Sequence, residues 1–161
     1  MKVAFSDAAL KAFDEIVKRY PEKRAALLPV LHLAQREFGW LSQDVMEYVG
    51  QLLDVPVGEV YDTASFYTMF YKKPVGKYHI QVCHTLSCAL RGARNIYNHL
   101  EYKLGIKNGE VTPDGKFSLV KVECLGSCGT APVVQINDDY YEGLTIETLD
   151  DILNKLDKNA E

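Results

Sequence analysis

Near residue 76 the apolar pattern of this 161-residue chain changes its period, and that change restricts the architecture more than any other feature. Upstream, apolar residues recur at helical spacing; downstream, stretches appear in which they alternate one by one. The first pattern gathers apolar side chains on one side of a helix, and the second sends them to one face of a strand. A helical region followed by an α/β region is therefore expected, with a boundary at 73/74: a helical bundle over 1–73 and an α/β domain over 74–161.

In the first region Leu10, Phe13, Val17 and Tyr20 mark one helix, with Ser6 as N-cap and Pro21 as its stop. Leu27, Leu31, Ala34 and Phe38 mark a second that ends at Gly39, and Pro29 predicts a kink or the true start. Ser42 caps a third helix carrying Val45, Met46, Val49 and Leu53. Pro56 suits the first turn of a fourth, with Val57, Val60 and Ala64 inward.

In the second region "KYHIQVC" alternates Tyr78, Ile80 and Val82 against His79, Gln81 and Cys83, which predicts a strand ending at Cys83. A helix follows from Cys88 to Leu104, and Gly105 ends it. "KFSLVKVEC" predicts a second strand running into Cys124. "PVVQINDDYYEGL" predicts a hairpin turning at Asn137 to Asp139, and Thr145 caps a last helix with Leu149, Ile152, Leu153 and Leu156. A right-handed crossover makes the first two strands parallel neighbours. Both sets of cysteines then fall at the carboxyl ends of those strands, where ligands of α/β sheets usually sit.

The chain has four cysteines, in two pairs: Cys83-x4-Cys88 and Cys124-x3-Cys128. Each pair lies among small residues, so the backbone can approach an inorganic group and offer N–H donors, with Leu86, Gly126, Ser127 and Gly129 the expected ones. Four thiolates converging suit either a [2Fe-2S] cluster or a structural zinc. Zinc favours tighter knuckles and domains too small to fold without it, so the spacing favours the cluster. A thioredoxin-type dithiol normally uses C-x-x-C, and a Rieske centre needs two histidines, whereas only His84 adjoins a cysteine. His84 is expected to donate to sulfur or to sit exposed in its loop.

Composition excludes several functions. A net charge of −4 with scattered lysines offers no basic stripe for nucleic acid. No apolar run approaches the roughly 18 to 20 residues that span a bilayer, and "MKVAFSDAALKAFDEI" places acids where a signal peptide is apolar. A cytoplasmic protein without direct membrane insertion is expected. The glycines form neither G-x-G-x-x-G nor a P-loop, so any NADH or flavin belongs on another subunit. "SFYTMF" reads first as core at the domain junction and second as an interface, since five aromatics fall within residues 61 to 71.

The stretches "LLPVLHLAQREFGWLS", "ASFYTMF", "VCHTLSCALRGA" and "VECLGSCGTAPVVQINDDYYEGLT" together resemble the [2Fe-2S] E subunit, or 24-kDa subunit, family of respiratory NADH:quinone oxidoreductase. The resemblance covers nearly the whole chain. It implies a helical bundle followed by a thioredoxin-like ferredoxin domain, an α+β arrangement with a cis peptide before Pro132. It also implies one [2Fe-2S] cluster held by Cys83, Cys88, Cys124 and Cys128, with no catalytic residue and no complete active site in this chain alone. FMN and NADH are expected on the partner subunit only, and further complex subunits hold the protein at the periphery of the inner membrane. An equivalent subunit of an NAD-dependent, bifurcating hydrogenase or a formate dehydrogenase is the alternative of the same class. A zinc-stapled assembly module and a metal-free dithiol oxidoreductase are the alternatives of different class.

Overall fold

The structure, a computed structural model, describes residues 3–158. The chain forms two compact units, Met1–Pro74 and Val75–Glu161.

The first unit is helical: α1 (Asp7–Val17), α2 (Leu27–Phe38), α3 (Gln43–Leu53) and α4 (Val57–Phe66), with a 3-10 turn at Lys23–Ala26. Ser6 and Ser42 cap α1 and α3, accepting from the amides of Ala9 and Val45 at 3.3 Å each. Helix α1 stops three residues short of the expected Tyr20. The amides of Arg19 and Tyr20 bond three residues back instead of four, which tightens and ends the helix before Pro21. Tyr20 is accordingly exposed, and Leu10, within α1, is exposed as well. Pro29 starts no new helix; it lies in the first turn of α2, where its missing N–H costs nothing. Val30, Leu31, Val49, Leu53, Val60 and Ala64 share one core with Phe70, whereas Val57, expected inward, is 46% exposed at the first turn of α4.

The second unit is a mixed five-stranded sheet with helices: β1 (Tyr78–Cys83), α5 (Leu86–Leu90), α6 (Ala93–Leu104), β2 (Glu110–Val111), β3 (Phe117–Val122), β4 (Val134–Ile136), β5 (Asp139–Tyr141) and α7 (Ile146–Lys158). Strand order is β2-β3-β1-β4-β5, with β1 and β3 parallel and the other pairs antiparallel. Ile80 and Val82, with Phe117 and Leu119, meet Ile96, Leu100, Leu149 and Leu153 of α6 and α7 in one core. His79, Gln81 and Cys83 lie on the opposite face and are buried as well. Thr145 caps α7 through the Thr148 amide, and the Ala131–Pro132 peptide is cis.

Three details of this second unit depart from the sequence expectation. The helix after β1 begins at Leu86 and breaks at Gly92, whose φ of 95° belongs to the left-handed region and interrupts helical bonding. Strand β2 is an addition, since two residues are too few to carry a period. The hairpin turn is only Asn137–Asp138; Asn137 takes φ 55° and its side-chain amide bonds the His79 amide and the Lys77 carbonyl, leaving Asp139 in β5. Among the described residues no helix is long and apolar enough to cross a membrane.

Candidate metal centre

All four cysteines carry free thiols, and they fall in two different environments. Cys83 ends β1 and Cys88 sits in the middle of α5; both are buried, in a small cluster with Ala93, Ala131 and Val133. Cys124 follows β3, Cys128 opens a 3-10 turn, and both are exposed. The positions follow from topology, since the parallel pairing of Cys83 with Val122 brings the ends of β1 and β3 level.

The Cys83 thiol ties the two loops together. It donates to the Glu123 carbonyl at 3.3 Å, and the Thr85 hydroxyl lies at the same distance. Burial pushes this thiol up, yet the hydrogen bonds from the Thr85 hydroxyl, the Leu125 and Thr85 amides and the Cys88 thiol prevail and hold it below its ordinary value. Cys88 goes the other way, to about 11: burial, the neighbouring Cys83 and the charge at Cys128 oppose its ionisation more than the Val133 amide favours it. The pair is thus arranged with Cys83 the first to become a thiolate. On the exposed side the Gly126 amide donates to Cys124 Sγ at 3.4 Å, and Gly126 has φ 80°, a conformation that favours glycine.

Of the four expected amide donors, Gly126 is found beside a sulfur. Beside the buried pair other amides act: those of Thr85 and Leu125 favour the thiolate of Cys83, and that of Val133 favours the thiolate of Cys88. His84 is exposed, its Nε2 3.6 Å from Glu123 Oε1.

Cys83 and Cys88 interact directly, and Cys128 lies within electrostatic reach of Cys88. Yet among the described residues no three His, Cys, Asp or Glu side chains meet at one metal-ion position. Both statements hold, because charge acts over longer distances than a metal–sulfur bond of about 2.3 Å. A binuclear iron–sulfur cluster asks for two thiol pairs, one for each iron, whereas a single zinc asks for four ligands at one point. Two pairs on facing loops, with amide donors beside sulfur and an apolar wall on one side, suit the binuclear group.

The model of the thioredoxin-like [2Fe-2S] ferredoxin family matches residues 13–157. The E subunit of NADH-quinone oxidoreductase from Rickettsia bellii is 53% identical over 95% of this chain and 93% of its own length. The E 2 subunit of the same enzyme from Rhizobium meliloti is 48% identical over 84% of this chain and 80% of its own length. Among solved structures, an NAD+-reducing [NiFe]-hydrogenase in the air-oxidised state superposes with a TM-score of 0.73 at 26% identity. That match covers 84% of this chain and 23% of the longer hydrogenase chain.

Proposed function

The chain belongs to the thioredoxin-like [2Fe-2S] ferredoxin family, and within it to the family of NADH-quinone oxidoreductase E subunits, and we propose that Cys83, Cys88, Cys124 and Cys128 hold one [2Fe-2S] cluster. The protein acts as an electron-transfer subunit in the NADH-oxidising module of that enzyme and exchanges single electrons with FMN on a partner subunit. The observation that carries this reading is the contact of the Cys83 thiol with Glu123 and Leu125, which brings the loop of the second cysteine pair against the first.

When bound, the cluster supplies a centre that accepts one electron shared between two irons and their sulfides. The chain's own residues do the rest. Amides of Thr85, Leu125, Gly126 and Val133 stabilise negative charge on sulfur, and such donors raise the potential. Ala93, Ala131 and Val133 keep water from the buried pair. The exposed pair, Cys124 and Cys128, faces the side by which an electron enters, because transfer weakens with distance and the partner approaches from solvent.

Partner contact is supported by apolar side chains that the first unit leaves uncovered. Tyr61, Phe66 and Met69 are 53%, 79% and 39% exposed, and only Phe70 of "SFYTMF" reaches the core. Gln35 holds this arrangement, donating to the Met69 carbonyl at 2.9 Å and accepting from the Tyr71 amide at 2.6 Å. The expectation of core for the whole stretch therefore gives way to the interface reading for most of it. The higher identity to quinone-reducing relatives favours that host over a hydrogenase, and membership of such a complex supplies peripheral attachment to the membrane.

Affinity capture of the tagged chain under respiratory growth tests the assignment. Co-purification of one FMN per chain with NADH:ferricyanide activity is expected. A captured chain carrying iron but neither flavin nor NADH oxidation contradicts the host assignment.

A further inference from the structure

A cleft of about 390 Å³ opens on the helix side of the sheet, at the carboxyl end of β1. Its floor is apolar, formed by Val82, Ala93 and the ring of Tyr97, and Arg94, Lys121 and Asn98 stand around it. We propose that this cleft binds a small phosphate ester, its phosphate held by Arg94 and Lys121 and its apolar part laid on the floor.

The charge distribution favours an anion. The chain as a whole is acidic, with 22 carboxylates against 18 Lys and Arg, yet no Asp or Glu lines this cleft. Lys121 is held with its Nζ 3.9 Å from the centre of the Tyr97 ring, a contact that orients the ammonium without neutralising it. Tyr97 is fixed in turn by burial and by its hydroxyl, which donates to Glu101 Oε1 at 2.8 Å. Arg94 makes no ion pair with any described residue, so its planar fork of donors is free for a bidentate anion. The Asn98 amide adds a neutral donor. The Glu101 carboxylate is engaged by the Tyr97 hydroxyl, and Glu123 Oε1 stands 3.6 Å from Nε2 of His84, which also lines the cleft.

Phosphate is favoured over a partner's carboxylates by shape. A concave site with an apolar floor and a few convergent polar groups is the usual form of a small-molecule site, whereas a docking protein needs a broader, flatter contact.

Calorimetric titration of the cluster-loaded full chain with phenyl phosphate at low ionic strength tests the proposal. Saturation at one ligand per chain is expected, weakened about tenfold or more in Arg94→Ala and in Lys121→Ala and unchanged in Lys155→Ala on α7. Both cleft cations are exposed, so neither substitution unfolds the chain. Affinity equal to wild type in both cleft variants, or equal weakening in Lys155→Ala, overturns the proposal. Tighter binding of a glutamate-rich peptide than of phenyl phosphate also overturns it, in favour of protein docking.

Discussion

His79 and Ser118 lie side by side across β1 and β3, the imidazole Nδ1 2.7 Å from the serine Oγ and both residues buried. Ser118 Oγ also accepts from the Gly76 amide at 3.0 Å, so its own proton is available to the ring. Burial lowers the histidine from 6.5 to about 4. Well above pH 6.5 the ring is neutral whether the chain is folded or not. As pH falls toward 4, the unfolded chain takes up a proton that the folded one refuses, and stability drops. The loss amounts to about 3 kcal/mol between those limits. Denaturant unfolding of wild type and His79→Gln at pH 7 and pH 4.5 is expected to show a markedly steeper loss in wild type; parallel losses contradict this account.

Gly76 stands where no other residue fits. A Cβ there meets Phe117 C at 2.5 Å and Ser118 N at 2.8 Å, both backbone atoms that cannot move aside. Gly76→Ala is expected to cost about 3 kcal/mol, at the upper end for overpacking. Gly58, within α4, has nothing within 4 Å of an added methyl, and Gly58→Ala is expected to stabilise by about 0.5 kcal/mol through helix propensity. Thermal midpoints moving in opposite directions check the pair.

The two cysteine pairs separate folding from ligation. Cys88→Ser places a hydroxyl in a buried apolar cluster and is expected to destabilise the cluster-free chain by about 1 to 2 kcal/mol. Cys124→Ser, at an exposed site, is expected to change its stability by less than about 0.5 kcal/mol. Both are expected to lose the [2Fe-2S] absorbance on reconstitution. Equal stabilities, or an unaltered spectrum in either variant, contradict the assignment.

Phe66 and Phe70 divide in the same way. Phe70→Ala empties a core position and is expected to cost about 3 to 5 kcal/mol. Phe66→Ser is expected to leave the isolated chain within about 0.5 kcal/mol of wild type while weakening association with the flavin subunit at least about tenfold. Unchanged association removes Phe66 from the interface.

Much of this is legible in the sequence because it rests on period and on special residues. The alternation from Tyr78 to Cys83 and the caps at Ser6, Ser42 and Thr145 follow from local rules, and the parallel pairing of β1 with β3 follows from the handedness of crossovers. Val57 and Tyr20 depart from their expected places because periodicity marks a helical face but not where that face leaves the core. Gly92 breaks a helix that its neighbours would have continued. At the thiol site the cysteines announce themselves, whereas the donors do not: Thr85, Leu125 and Val133 act through backbone amides, which every residue other than proline possesses. Their role comes from loop geometry set by pairings far apart in the chain.

Metal analysis with EPR on anaerobically purified protein decides whether the four cysteines hold a [2Fe-2S] cluster. Two irons and two sulfides per chain are expected, with an S = 1/2 signal that appears on dithionite reduction and vanishes on reoxidation. One zinc per chain and no signal, even after reconstitution with iron and sulfide, would contradict it.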